Sequence, residues 1–368
     1  MKKKLIGIFV CVLLVVTVLP VTAYVIVDKS PLSIFNGNTL YVGGSGPGNF
    51  SKIQNAINET VDGDIVYVYD DSSPYFENLV VHRSIKLIGE NKDTTIIDGG
   101  GSGTIVYVIK DDVTICEFTI QNSEDSGIFI NNEPDPPWDD EIKNLMVYDN
   151  NINNVSQGVF GITIKNGKIF NNKIKDIDTA IKLMYSSGIN ISNNYIYNAK
   201  YRGIEISGSF SLNKLFDKIF EEIKPPSKNN MIYRNIVEEN RFGIGIFACE
   251  GSKVYENNIL NNHEQGLYLH LSTNTDIKKN NFIQTKTKID YRHSYFTVVN
   301  RLLQYYTNSW NGNYWYEDDK PAHLINGKYY FVISIPIGPK SFIEFELLNT
   351  ALKTYDRNPS PNPYDIGV

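Results

Sequence analysis

The chain alternates apolar and polar positions with a period of two, in short runs broken by Gly, Asp and Asn. Runs over 64–69, 78–81, 84–88, 95–97 and 104–109 read as strands. One earlier stretch has a different period. Ser51-Lys52-Ile53-Gln54 matches a capping box, and Ile53, Ala56, Ile57 and Val61 share one helical face. Residues 51–61 are therefore expected to form a short helix lidding the N-terminal opening of whatever the strands build.

Beyond residue 120 the alternation itself repeats. Taking the second Asn of each pair, or its equivalent, the markers are Asn150, Asn172, Asn194, Asn235, Asn258 and Asn281, with steps of 22, 22, 41, 23 and 23 residues. A parallel set of small residues runs Gly127, Gly158, Ala180, Gly203, Gly243, Gly266. Most of these precede an apolar-x-apolar triplet such as Ile181-Lys182-Leu183 or Ile204-Glu205-Ile206; in the second coil the triplet is matched after Gly161 instead. Such a period means a solenoid, and its internal alternation means strands. Each unit suits one turn of a helix of strands, stacked at about 4.8 Å per turn. Asn tolerates the left-handed backbone of a sharp corner, and stacked Asn side chains can hydrogen-bond along the axis.

The fold expected is all-β: a single-stranded right-handed parallel β-helix with coils of about 22 residues over 40–285. Two insertions interrupt it. Residues 131–141 are acidic around three prolines. Residues 209–230 carry Leu212, Leu215, Phe216, Ile219, Phe220 and Ile223 on one helical face, ended by Pro225-Pro226, and read as a helical insertion. An aromatic-rich segment, 286–368, is expected to pack on and cap the last coils.

Composition changes little except at the start. The balance of 42% hydrophobic and 21% charged residues is globular, and a net charge of -6 without a basic patch argues against nucleic acid. Met1-Lys2-Lys3-Lys4 followed by an apolar run reads as a signal peptide or an N-terminal membrane anchor over 1–27; either exports the remainder to the cell surface or beyond. Membrane contact is expected only through that segment, and the exported chain is expected to be a monomer. Sequons at Asn49, Asn58, Asn154 and Asn190 agree with export but arise readily in an Asn-rich chain. Cys116 and Cys249 fall several coils apart and are expected to be free thiols.

"GNFSKIQNAINETVDGDIVYVYDDSSPYFENLVVHRSIKLIGE" with the following "TTIIDGG" resembles the opening of pectin-lyase-like β-helix proteins. The coils over 105–285 resemble the NosD-like repeats of the carbohydrate-binding and sugar-hydrolase class. "NSWNGNYW" and "PNPYDI" resemble the tail of β-helix surface proteins from archaea. The resemblance implies a fold and a choice of roles. Foremost is an exported protein that binds a polysaccharide or cell-surface glycan, or serves as adhesin or spacer. The alternatives are a polysaccharide lyase or hydrolase with divergent catalytic residues, and a NosD-like accessory in copper-site maturation.

The catalytic motifs of the resembled enzymes are not found. Asn274-Thr275-Asp276 stands alone and reads as a corner turn, so no catalytic residue is assigned. The histidines do not pair at metal-ligand spacing, and no metal or other cofactor is assigned. Asp135, Asp139, Asp140 and Glu141 in the acidic insertion read as a solvated loop, with calcium as the ion they would take. The remaining candidate is the outward side of the Gly-apolar-x-apolar strand, where Phe129, Lys182, Glu205, Gly245 and Tyr268 form a ladder. Lys182, Arg202, Glu205, Arg241, Tyr268 and His270 are the candidate sugar-binding residues, against the alternative of a solvated face held by a Lys182–Glu205 pair.

Overall fold

The computed structural model describes residues 37–132, 140–208, 227–270, 272–283, 294–299, 308–316, 323–338, 341–356 and 358–366, the side chains of 294–299, 323–338 and 341–354 excepted. The expected signal or anchor, the helix of the second insertion, and Asp135 and Asp139 lie outside the described residues. No described helix is long and apolar enough to cross a membrane.

The chain winds as a right-handed parallel β-helix. One face is an eleven-stranded parallel sheet running from Thr39–Val42 to Ser309–Asn311. The opposite wall is built on long bent strands, Thr119–Ile130, Asn151–Ile162, Lys173–Met184 and Tyr195–Ser207. A narrow third face pairs Ile142–Lys143 with Ile164–Lys165, and Ser227–Lys228 with Cys249–Glu250.

Strand alternation decides which residues meet. In the first sheet Val66, Leu87, Ile115, Val147, Ile169, Ile191, Ile232, Val254 and Ile277 align in one inward column ending on Trp310. In the long strands Ile152, Ile174, Ile196, Val237, Ile259 and Phe282 align in another, ending on Trp315. All are buried. Each such side chain removed from water contributes about 1.5–3 kcal/mol, which offsets the entropy of ordering its coil.

Between the two walls runs a buried asparagine column. The Nδ2 of Asn150 donates to Oδ1 of Asn172 at 3.1 Å; the pattern repeats through Asn194, Asn235, Asn257, Asn280 and Asn313. Each Oδ1 also accepts from the backbone N–H of the preceding Asn. The sequence marker therefore slips by one at its last two positions: Asn257 and Asn280, not Asn258 and Asn281, carry the column. The physical rule is a left-handed residue, then the buried Asn, then an outward residue, then an inward apolar one. The left-handed positions are Asp149, Asn171, Asn193, Arg234, Glu256 and Lys279, with φ between 53° and 56°. Phe118 occupies the column's head, its N–H donating to Asn150.

Four other expectations change. The helix spans Ile53–Glu59 and buries Ile53, Ala56 and Ile57, but Ser51 makes no cap; its leading N–H groups of Ile53 and Gln54 donate to the Glu77 carboxylate, at 2.8 and 3.1 Å. A side chain from the next coil thus fills the role assigned to a local motif. In the second coil the triplet follows Gly158 after all: Val159-Phe160-Gly161 aligns with Ile181-Lys182-Leu183. Gly161 replaces a core residue because Ile164 occupies the space a Cβ would need. The second insertion ends before Ser227, since Ser227 and Asn230 are buried parts of a coil. Finally, the coils continue past residue 285 through Ser309–Asn311 and Tyr314–Trp315, with Trp315 stacked on Phe282 at 4.3 Å. A long antiparallel hairpin, His323–Gly338 with Ser341–Asp356, follows.

Candidate functional site

The Gly-apolar-x-apolar strands do place one outward residue per coil in register: Tyr107, Phe129, Phe160, Lys182, Glu205, Gly245 and Tyr268. Tyr107, Phe129 and Phe160 stack face to face at 5.2 and 5.0 Å, and the Lys182 ammonium lies 5.1 Å from the Phe160 ring centre. Tyr107 and Phe160 were missed in the sequence reading. Phe160 was lost with the misplaced triplet at Gly161; Tyr107 sits one coil above the first marked glycine.

Past Lys182 the column becomes a polar cluster built on aromatic rings. Arg202 donates to Glu205 at 2.9 Å, and its guanidinium sits 5.4 Å from the Phe242 ring centre and 5.1 Å from that of Phe247. The Glu205 side chain keeps only 14% of its exposure. Arg241 also lies over Phe242, at 5.3 Å, and pairs with Glu264 at 2.6 Å. Phe247 meets Tyr268 edge-on at 5.3 Å, and Tyr268 stacks with His270 at 6.0 Å. Gly245 leaves room in the column for the Phe247 ring, which lies where its Cβ would be.

The six sequence-predicted residues thus fall on one face, and five of them are linked through shared rings or ion pairs. The Lys182–Glu205 pair of the alternative reading is not formed: Glu205 is held by Arg202, and Lys182 rests on Phe160. Burial holds the His270 imidazole below its usual pKa, so it presents a neutral ring at neutral pH, its Nδ1 buried and without a hydrogen bond to any described group. Arginine between aromatic planes, beside a Tyr–His pair, offers flat apolar surface and fixed donors together, which is the chemistry that sugar rings present in complement.

Of the acidic insertion, Asp140 and Glu141 are described, and Glu141 is paired with Lys165 at 3.1 Å. Among the described residues no three His, Cys, Asp or Glu side chains converge to hold a metal ion. Asn274, with φ 53°, is the corner residue the sequence suggested. Cys116 and Cys249 are both buried and free.

A family model described as periplasmic copper-binding protein (NosD) matches residues 57–226 and, overlapping them, 109–319. No curated protein matches the chain. Among solved structures it is similar to the polygalacturonase from Erwinia carotovora, with 12% identity, a TM-score of 0.47 and coverage of 77% of this chain and 90% of that one. It is also similar to the A-module of a mannuronan C-5 epimerase from Azotobacter vinelandii, with 14% identity, a TM-score of 0.46 and coverage of 67% and 76%. A third is the alginate lyase from Paenibacillus, with 12% identity, a TM-score of 0.42 and coverage of 75% and 86%.

Proposed function

The chain belongs to the NosD family, and we propose that it is an exported β-helix protein that binds an extended glycan on its aromatic–guanidinium face without cleaving it. The observation that carries the reading is the Arg202 guanidinium, fixed between Phe242 and Phe247 and held by Glu205. Its neighbours Tyr268 and His270 complete a rigid patch, so little side-chain entropy is lost when a sugar settles on it. The periplasmic character in the family's description, and the reading of residues 1–27 as a signal peptide or anchor, support export.

One feature favours binding over cleavage: both carboxylates described on this face are held in ion pairs, Glu205 with Arg202 and Glu264 with Arg241. The family description also names copper. The described donors do not fit such a site: burial pushes the Cys116 thiol up to about 11 and the Cys249 thiol up to about 12, and among the described residues no three His, Cys, Asp or Glu side chains cluster. No step of this reading runs through copper.

The test is a glycan array followed by titration calorimetry on wild type, Tyr268→Ala and Glu205→Gln, with an assay for reducing ends and unsaturated products. Binding near a Kd of about 1 mM, or about -4 kcal/mol, is expected. Tyr268→Ala should weaken it more than Glu205→Gln. Absence of binding to any glycan at millimolar concentration would overturn the reading. Turnover that Glu205→Gln abolishes would make this face an active site.

A further inference from the structure

The other half of the same long strands, beyond the corner residues Asn154, Asp176 and Asn198, carries a second surface. There Asn151, Lys173 and Tyr195 align on successive coils, and Asn153, Lys175 and Tyr197 align beside them. The loop over residues 90–94 reaches across onto this surface from two coils earlier. Thr119 Oγ1 donates to the Lys92 carbonyl at 2.6 Å, and the Asn151 amide donates to Lys92 O at 3.2 Å and to Asp93 Oδ1 at 2.8 Å. Thr94 Oγ1 ties the other flank to Asp70 at 2.6 Å. The loop is thus pinned on both sides, with Lys92 at its tip.

Lys92 and Lys173 line two adjoining cavities together. One, of about 360 Å³, is completed by Asn151, Asn153, Lys175 and Asp93. The other, of about 350 Å³, is completed by Asn171, Asn193, Tyr195 and Asp149. Among the described residues the ion pairs engage Lys175, with Asp176 at 3.4 Å, but neither Lys92 nor Lys173. The two carboxylates present do not pair with them: Asp93 accepts from Asn151, and Asp149 lies within no ion-pair contact.

We propose that this notch is an anion subsite: it takes a carboxylate- or sulfate-bearing polysaccharide lying along the coils, with the anionic group between the Lys92 and Lys173 ammonium groups. Primary amides both donate and accept, as ring hydroxyls do, so the Asn lining suits carbohydrate. Two ammonium groups without a carboxylate partner select for charge on it. The proposal shares with the glycan reading only the class of ligand; its residues are separate from the aromatic–guanidinium face.

The test uses the intact protein with three probes: a polyuronate, a sulfated polysaccharide and a neutral polysaccharide, titrated into wild type, Lys92→Ala, Lys173→Ala, the double variant and Tyr268→Ala. Circular dichroism checks that each variant is folded. Wild type should bind an anionic probe more tightly than the neutral one, with the preference shrinking in high salt. Each lysine substitution should weaken anionic binding by about fivefold and leave neutral binding unchanged. The uronate and sulfate arms show which anion is taken. Equal losses for neutral and anionic probes, or none in the double variant, would overturn the anion subsite while leaving the glycan reading standing. Failure of all three probes to bind would overturn both.

Discussion

The Nδ2 of Asn313 donates to the Asp356 carboxylate at 2.9 Å, and with that bond the asparagine column ends on a fully buried acid. The same carboxylate also accepts from the N–H groups of Gly312, Asn313 and Asn358 and from the Trp315 indole. Every amide in the column donates toward this end, so the dipoles align and converge on the Asp356 side chain. Asp356→Ala should leave five donors without an acceptor and cost at least about 3 kcal/mol in urea unfolding. Asp356→Asn, which keeps an acceptor, should cost less.

Position within the column should matter as well. Asn194→Ala removes the acceptor of the Asn172 N–H and one acceptor of the Asn172 amide, which keeps Val147 O and Phe170 O. Asn150→Ala removes the acceptor of one donor, the Phe118 N–H. The interior change is expected to cost about 1 kcal/mol more than the change at the head. Equal urea midpoints for the two variants would show that the column does not act through its donors.

The second insertion offers a sharper excision than its sequence boundaries suggested. Replacing 209–226 with a short Gly-Ser loop should leave the β-type circular dichroism and a cooperative transition intact, because loop length costs only about 0.6 kcal/mol per doubling. Extending the excision to 230 removes Ser227, whose Oγ accepts from the Ser186 N–H, and Asn230, whose Oδ1 accepts from the Ile189 N–H. That longer variant should lose at least about 2 kcal/mol more.

Stability should respond to pH in two separate windows. Burial holds His270 below its usual pKa, so folding favours the neutral ring; that contribution is complete above about pH 6.5 and is lost as pH falls toward the folded pKa. Burial works to raise Asp98, but bonds from the Gly100 N–H and the Gln121 and Asn122 amides outweigh it and hold the carboxyl low. Its contribution is present above about pH 4 and is lost in more acid solution. Urea midpoints measured against pH should therefore fall less between pH 7 and 5 in His270→Phe, and less below pH 4 in Asp98→Asn.

The thiols should be inert in the folded protein. With Cys116 pushed up to about 11 and Cys249 to about 12 by burial, alkylation at pH 8 should be slow until denaturant is added. Fast labelling of native protein at either residue would contradict the coil packing around it.

The coil architecture was legible because its period is written in residues that stack on their own copies. Ile174 and Ile196 meet one another through nothing but the repeat. What escaped was whatever depends on a partner of unlike sequence. A paired Asn-Asn does not say which member turns inward; only the distance to the next buried residue does, and so Asn258 was taken for Asn257. Glu77 caps a helix 24 residues away. Lys92 gains its place through bonds to Thr119 and Asn151, which no local pattern joins. The aromatic–guanidinium face was found as a list of residues, but its internal pairing was not, because Glu205 has Lys182 beside it in register and Arg202 three residues back on its own strand, and only geometry chooses between them.

The asparagine column also makes the length of this molecule a counted quantity. Its links span 22, 22, 41, 22, 23 and 33 residues of chain, yet each closes the same bond at 2.9–3.1 Å. However much chain a link contains, its two ends close a single step of the column. Phe118 and Asp356 then act as start and stop marks of a ruler: duplication of a whole coil between them lengthens the object by one division, of about 4.8 Å, and fractional growth has no bond to accept it.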